Sequence, residues 1–367
     1  MTIYVGLSIA LAVIIAGQAA DIGESCTDGA GIVGKCKILS GCKSIVNLLL
    51  RGNFTENERN YIKKSDCGMV DGSRTVCCPL PQKSEKRIDT ALLPAVKDCG
   101  RTSASRIVGG AIADLDDYPW LARIQYNKPN NRLGFHCGGV LINDRYVLTA
   151  AHCIQSVPAS WTVYKVRLGD YDSESDEECS AHDPNDCVNS VQDILVASVY
   201  VHEDYFQENG ADYNDIALIR LVKPVNYTEY IQPICLPTTA ELRNMNVDGL
   251  QMTVAGWGQT ETRSASRYKM YLNVPAWNNT RCGGAFEGVN VDIIDSQLCA
   301  GGEVGKDSCR GDSGGPLMKV EKIGGVSAWF LKGIVSFGTD KCGTENIPGV
   351  YTRISKYMDW IQENIED

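Results

Sequence analysis

The stretch KDSCRGDSGGPL, residues 306–317, sets Ser313 among glycines, with Asp312 beside it and Asp307 six positions upstream. Glycines permit positive φ and close backbone approach, so the run reads as a turn that exposes the serine. A hydroxyl of ordinary pKa is inert; as a nucleophile it needs a base, and the base needs an acid to orient it. Of the four histidines, His152 lies in LTAAHC at the end of an apolar run, a context that His136, His182 and His202 lack. Asp215, in NDIALIRL, precedes a strand-like run and reads either as the orienting acid or as a strand-end turn aspartate. Together the three side chains would perform serine-hydrolase chemistry.

The elements that must position them are short. From residue 106 onward β-like runs recur, among them HCGGVLIND, RYVLTA, QDILVASVYV, DIALIRL, MTVAGWG, WFLKGIVSF and GVYTRI, separated by Gly, Pro, Asn and Asp. This is an all-β pattern, for which a barrel or sandwich is the natural closure. The end of the chain differs: ISKYMDWIQENI places Ile354, Met358, Ile361 and Ile365 on one helical face, and that face is expected to pack on the barrel.

At 367 residues the chain has room for more than one folded unit. Residues 3–16 are apolar, and Gly17, Gln18 and Ala19 suit a signal peptidase, so 1–19 reads as a secretion signal; the run is short for a membrane anchor, although a basic start is missing. Sixteen cysteines agree with export. Six fall within residues 26–78 and ten within 99–342, which divides the chain into a small stapled module and a larger domain. The middle of the module, 44–64, looks partly helical, and residues 79–106 read as a linker and activation segment. Three N-x-T sequons, at Asn53, Asn226 and Asn278, mark candidate glycosylated loops. Net charge is −10 with no basic cluster, which disfavours a nucleic-acid partner, and no membrane partner is expected. Acidic residues crowd the segment 170–178, which must be solvated or hold a cation.

The order LTAAHC, DIALIRL, CRGDSGGPL in a secreted all-β chain resembles the trypsin and chymotrypsin family of serine proteases, over essentially residue 107 to the C-terminus. The resemblance implies a double β-barrel with a C-terminal helix. It implies His152 as general base, Asp215 as its orienting acid, Ser313 as nucleophile, and the backbone N–H groups of Gly311 and Ser313 as oxyanion hole, the arrangement of the well-known triad. Asp307 matches the acid at the base of the primary specificity pocket, with Gly338 and Gly349 as pocket walls and Ser308 and Ser336 as further substrate-binding residues; such a pocket favours Arg or Lys. Phe337 replaces the common tryptophan, and Pro348 stands where sodium-responsive members carry tyrosine, so no sodium activation is expected. Longer stretches before Cys137 and after Cys153 suit a few macromolecular substrates better than general digestion.

By the same resemblance SASRIVGG contains the activation bond, Arg106 to Ile107, and the freed α-amino group pairs with Asp312. Family pairing implies the disulfides Cys137 with Cys153, Cys282 with Cys299, Cys309 with Cys342 and Cys99 with Cys235, leaving Cys179 and Cys187 to close the acidic loop. The first module resembles the clip domain of arthropod clip-domain serine proteases, the easter and prophenoloxidase-activating type, from its six cysteines and terminal CC at 77 and 78. Its implied pairs are Cys26 with Cys77, Cys36 with Cys67 and Cys42 with Cys78. In such proteases the loop after LG can bind calcium, and Asp170, Asp172, a Ser175 carbonyl and Glu178 supply oxygen ligands here; the alternative is a solvated acidic loop closed by a disulfide. No cofactor is expected for the chemistry.

The implied protein is a secreted zymogen, expected in haemolymph, that cuts a protein precursor after Arg or Lys in an immune or developmental cascade. Its partners would be prophenoloxidase, a Spätzle-like cytokine precursor or a further clip-domain zymogen as substrate, an upstream trypsin-like activator, and serpin inhibitors. The rival is a non-catalytic clip-domain adaptor, which the intact His152, Asp215 and Ser313 oppose. A defensin-like role for the clip unit would want a cationic surface, and 26–78 is mildly basic.

Overall fold

The computed structural model describes residues 22–50, 54–70, 72–79, 92–102, 111–175, 177–259, 263–305, 308–309, 311–339 and 342–367. The expected signal segment 1–19, the sequon at Asn53, the activation residues Arg106 and Ile107, and Asp307 lie outside the described residues. The chain divides into two units, residues 1–86 and 87–367.

The first unit is a four-stranded antiparallel sheet, in the order Ser25–Thr27, Val33–Ile38, Ser73–Pro79 and Asp66–Val70, with helices Lys43–Leu50 and Glu56–Lys64 between its middle strands in the chain. The second helix starts on a capping box: Thr55 accepts from the Glu58 N–H and Glu58 accepts from the Thr55 N–H, which satisfies two donors left open at a helix start. Its Tyr61 donates to Asp28 at 3.0 Å, tying helix to strand turn. Cys42, Ile45 and Val76 form so small a core that the three disulfides, Cys26–Cys77, Cys36–Cys67 and Cys42–Cys78, must supplement it.

The second unit holds two closed six-stranded barrels. The first runs around Gln192–Val201, Ala217–Leu221, Tyr146–Thr149, Arg132–Leu141, Leu121–Lys128 and Thr162–Leu168. The second runs around Gln251–Gly256, Pro316–Ile323, Val326–Phe337, Pro348–Arg353, Gln297–Gly301 and Met270–Trp277, which pairs back onto the first of these. Closure removes the free edges that would otherwise invite aggregation. One buried cluster joins the barrels, with Trp120, Ile124 and Leu148 from the first and Tyr271, Met318 and Leu331 from the second. Met358–Asn364 is helical and preceded by a short 3-10 turn, Ile354–Lys356. The expected apolar face, Ile354, Met358, Ile361 and Ile365, is buried in the same cluster; Trp360 is buried as well and donates to Glu203, so the helix is more enclosed than its periodicity suggests.

The disulfides of this unit, Cys99–Cys235, Cys137–Cys153, Cys282–Cys299 and Cys309–Cys342, are the pairs the resemblance implied, and Cys179–Cys187 is the pair left over to close the acidic loop. The long segments flanking Cys137 and Cys153 meet: the turn Pro129–Asn131 brings the Lys128 ammonium to 3.9 Å from the Trp161 ring, and His136 packs edge-on against the same ring.

Candidate active site

His152 opens the short helix His152–Gln155 directly after the first-barrel strand Tyr146–Thr149, and Asp215 precedes Ala217–Leu221, the strand paired to it. That pairing makes residues 63 apart in the chain neighbours. Asp215 Oδ2 lies 2.8 Å from His152 Nδ1, and Oδ1 accepts from the His152 backbone N–H at 2.8 Å. Two contacts fix one carboxylate on both the ring and the backbone of the same residue, so the imidazole cannot turn independently of its acid.

The second barrel grips this pair from the other side. Thr352 Oγ1 donates to the Asp215 carbonyl at 2.6 Å, and Ser336 Oγ donates to Asp215 Oδ2. Sequence reasoning placed Ser336 among the substrate-binding residues and did not foresee this bond from its hydroxyl to Asp215. Asp215 is 1% exposed, and a carboxylate so deep must have its lone pairs filled. Burial alone would raise its pKa, but the charge and hydrogen bonds of His152 and the hydroxyl of Ser336 hold it below the ordinary aspartate value. Burial works against a charge on His152 too, and is outweighed by Asp215 and, further out, by Asp212, so its pKa stands above the usual histidine value.

Ser313 arrives from the second barrel, in the turn that leads into Pro316–Ile323. Its carbonyl accepts from the Gly138 N–H at 2.8 Å, and the neighbouring Cys137 is bonded to Cys153, the residue after His152. A hydrogen bond and a disulfide thus link nucleophile and base across the two barrels. The turn needs its glycines: Gly314 has φ +78 and a Cβ there would come within 2.2 Å of Thr149 Oγ1, while Gly311 has φ +100.

Between Gly311 and Ser313, Asp312 faces Gly256 and Gly258, where a Cβ would stand 2.4 and 2.2 Å from its carboxylate oxygens. The backbone N–H groups of Gly258 and Cys309 donate to it at 2.8 and 3.0 Å. The residue keeps some exposure through a cavity of about 100 Å³ lined also by Phe135, Cys137, Trp257 and Gly311, but its carboxyl is enclosed, and burial raises its pKa to about 6.

Of the residues expected to form the specificity pocket, Ser308, Gly338 and Gly349 are described. Ser308 Oγ is 3.1 Å from the Tyr351 hydroxyl, the disulfide Cys309–Cys342 closes one side, and a Cβ on Gly338 would sit 3.8 Å from the Gly349 Cα. Neither glycine carries a side chain that would fill the slot expected there.

The acidic loop is more ordered than its composition suggests. Glu178 is fully buried, and its Oε2 accepts from the Tyr171 and Asp172 N–H groups at 2.8 and 2.7 Å. Glu178 Oε1 and Asp170 Oδ1 are buried and accept no hydrogen bond; the Arg167 guanidinium stands 3.8 Å from Asp170 Oδ1, and the other Asp170 oxygen is paired with Arg123. Burial, with the Asp170 charge adding to it, pushes the Glu178 carboxyl up to about 7. Buried carboxylate oxygens that accept no hydrogen bond suit a hard cation, and Asp170 and Glu178 would hold it. Asp172 does not join them: both its oxygens are occupied by Arg267, at 2.7 to 3.0 Å, and by the Glu174 N–H. Ser175 lies beside it, its N–H on the Asp172 carbonyl at 3.2 Å. Of the sequons, Asn226 is exposed, and Asn278 is exposed but caps the helix Asn279–Phe286, its side-chain oxygen accepting from the Arg281 N–H at 2.8 Å.

Thr352, Tyr205 and Asp212 belong to the surroundings of His152, and sequence reasoning missed them. The hairpin Phe206–Glu208 with Ala211–Tyr213 carries Asp212, and the Asn209-Gly210 dipeptide, at φ 50 and 80, was its sequence signal.

A trypsin family model matches residues 107–361, and the regulatory CLIP domain of proteinases matches residues 26–78. Over 366 residues the chain is 39% identical to CLIP domain-containing serine protease B4 of Anopheles gambiae, covering 98% of each. Phenoloxidase-activating factor 3 of Holotrichia diomphalia is 39% identical over 343 residues, 93% of this chain and 94% of that one. The crystal structure of the Drosophila Grass clip serine protease of the Toll pathway matches with a TM-score of 0.64 and 30% identity, covering 93% of this chain and 97% of the other. With two barrels, a clip unit and a relative matched along almost its whole length, the chain belongs to the clip-domain serine proteases of the trypsin family and is a serine endopeptidase.

Proposed function

We propose that this endopeptidase is a secreted zymogen, opened by cleavage between Arg106 and Ile107, that cuts after Arg or Lys in a protein precursor of an extracellular immune or developmental cascade. The observation that carries the reading is the His152–Asp215 pair, anchored by both barrels, with Ser313 tied to the strand beside it. Ser313 Oγ attacks the peptide carbonyl as its proton passes to His152 Nε2, while Asp215 at Nδ1 keeps the tautomer and stabilises the imidazolium. The carbonyl oxygen becomes an oxyanion facing the N–H groups of Gly311 and Ser313. His152 then protonates the leaving amine, and a water, deprotonated by the same ring, hydrolyses the acyl-enzyme. Asp307 supplies the counter-charge for the Arg or Lys side chain, with Ser308, Gly338 and Gly349 shaping the slot.

Before cleavage Asp312 holds its carboxylate on two backbone N–H groups. Cleavage supplies the Ile107 α-amino group as its cation, which completes the oxyanion turn. A relative named for phenoloxidase activation and a similar protease of the Toll pathway support a cascade role. Eight disulfides and the leader-like residues 1–19 support secretion. A protein precursor as substrate, an upstream trypsin-like activator and serpin inhibitors follow from that role, and calcium on Asp170 and Glu178 would be structural.

The test is amidase activity on small Arg, Lys, Phe and Ala substrates before and after cleavage at Arg106, with Ser313→Ala as control. Activity that requires cleavage, prefers Arg or Lys and disappears in the control is the expected result. No activity after verified cleavage would turn the reading to the non-catalytic adaptor.

A further inference from the structure

Asp212 is a carboxylate with no part in the triad, yet it stands at the catalytic ring. A ring nitrogen of His152 and one oxygen from each of Asp212 and Asp215 lie within 4.8 Å of one another. Asp212 is 8% exposed, and its position is built rather than incidental. Tyr205 donates its hydroxyl to Asp212 Oδ1 at 2.6 Å, and Gln207, its cross-strand partner, donates to the same oxygen at 2.8 Å. The Asp212 carbonyl is held by the Gln297 amide at 3.0 Å, from the second barrel. Ser156, which follows the His152–Gln155 helix, lies 2.9 Å from the Tyr205 hydroxyl. A chain of hydrogen bonds therefore runs from the end of the histidine helix through Ser156 and Tyr205 to Asp212, and returns to the ring through space.

We propose that Asp212 is a second carboxylate acting on the His152 imidazole, a positioning residue that favours the protonated ring formed during acyl transfer. The inference rests on the proposed role of His152 as base. Placing an uncompensated carboxylate beside another one is costly, and Asp215 and burial both work against the Asp212 charge. Tyr205, Gln207 and the imidazolium offset that cost. Because Oδ1 takes both donated hydrogen bonds and neither involves the ring, the hairpin, not His152, sets where the charge sits.

Among the described residues the titratable groups around the ring are few. Asp215 lies on its Nδ1 side; Asp212 comes from the hairpin, with Tyr205 behind it; His136, from the strand Arg132–Leu141, feels the His152 charge; and Tyr357, near the C-terminal helix, feels Asp215. Of these, Asp212 and Asp215 are the groups that favour a proton on His152. Asp212 is the one that can lose its charge without losing the hydrogen bond to Nδ1.

Asp212→Asn keeps an acceptor for Tyr205 and Gln207 and removes the charge. In the cleaved enzyme the acid limb of kcat/KM, which reports the base in the free enzyme, should move to lower pH by about half a unit or more, and kcat at pH 8 should fall by roughly three- to tenfold. Asp212→Glu should restore most of both, and Tyr205→Phe should move the limb less than Asp212→Asn. A second readout needs no activity: the NMR titration of the His152 ring in the uncut Ser313→Ala chain should shift the same way on adding Asp212→Asn. An acid limb and a ring titration both unmoved in folded Asp212→Asn would overturn the proposal, as would a change confined to the preferred substrate residue before Arg or Lys. Should the cleaved wild-type chain prove inactive, the proposed function fails, and the ring titration still decides this inference.

Discussion

Ser336 stands 121 residues beyond Asp215 in the chain, and no spacing rule connects a serine in VSF to an aspartate in NDI. The triad was legible because its motifs carry it locally; the groups that hold the triad were not, since a serine or threonine on a strand looks the same whether it faces solvent or a buried carboxylate. Ser336 is 7% exposed and donates to the Asp215 oxygen that also bonds the ring. A hydrogen bond to a charged acceptor is worth about 1.5 to 3 kcal/mol net. Ser336→Ala should therefore lower kcat/KM by about ten- to a hundredfold, mainly through kcat, because the lost donor steadies Asp215 and leaves the slot of Gly338 and Gly349 unchanged. Steady-state kinetics on an Arg substrate checks this; a rise in KM with kcat intact would assign the hydroxyl to substrate binding and not to Asp215.

At the scale of elements, the strands with continuous apolar runs were legible and those with mixed polarity were not. Leu121–Lys128 reads LARIQYNK, which alternates imperfectly because its later residues are half-exposed where the barrel wall meets the long turn at Pro129–Asn131. Pro316–Ile323 was hidden behind the catalytic motif that starts it. The acidic loop was legible as a choice between solvation and cation binding, but composition could not show that Arg267 takes Asp172 and leaves Asp170 and Glu178 with buried oxygens that accept no hydrogen bond. Calcium at millimolar excess should raise the Tm of the uncut chain by roughly 2 to 5 °C, through mass action on the folded state. In Glu178→Gln that response should vanish. The same substitution should stabilise the calcium-free chain at pH 7.5, since a carboxyl raised from 4.5 to about 7 weakens the fold as pH rises through that window and an amide does not. Equal calcium responses in the two chains, read by differential scanning calorimetry, would remove calcium from this loop.

For the whole molecule, the cysteine spacing made the two units legible, while the strand pattern left barrel and sandwich open and the double barrel followed from the resemblance that the ordered motifs carry. The depth at which the Asp312 carboxyl is enclosed in the uncut chain was not legible, since it depends on the backbone packed around it. Asp312 has its carboxyl against Gly256 and Gly258, two backbone N–H donors, and a pKa raised from 3.8 to about 6. A carboxyl that holds its proton more tightly in the fold than in the unfolded chain contributes stability that is fully present below pH 3.8, falls as pH rises, and is lost above about 6. Glu178, Asp117 and Asp212 have raised values too and bend the profile the same way, so the informative quantity is the difference between two chains. Uncut Asp312→Asn should have a higher Tm than the uncut parent at pH 7, and the gap should close as pH falls to 4. After cleavage at Arg106 the ranking should invert: the parent gains an ion pair with the new Ile107 amino group and the variant cannot, so the parent becomes the more stable chain and the variant stays inactive. Melting curves of cut and uncut forms of both chains between pH 4 and 7 would show it. A gap that is independent of pH, or that survives cleavage, would mean that Asp312 does not store the difference between the two states.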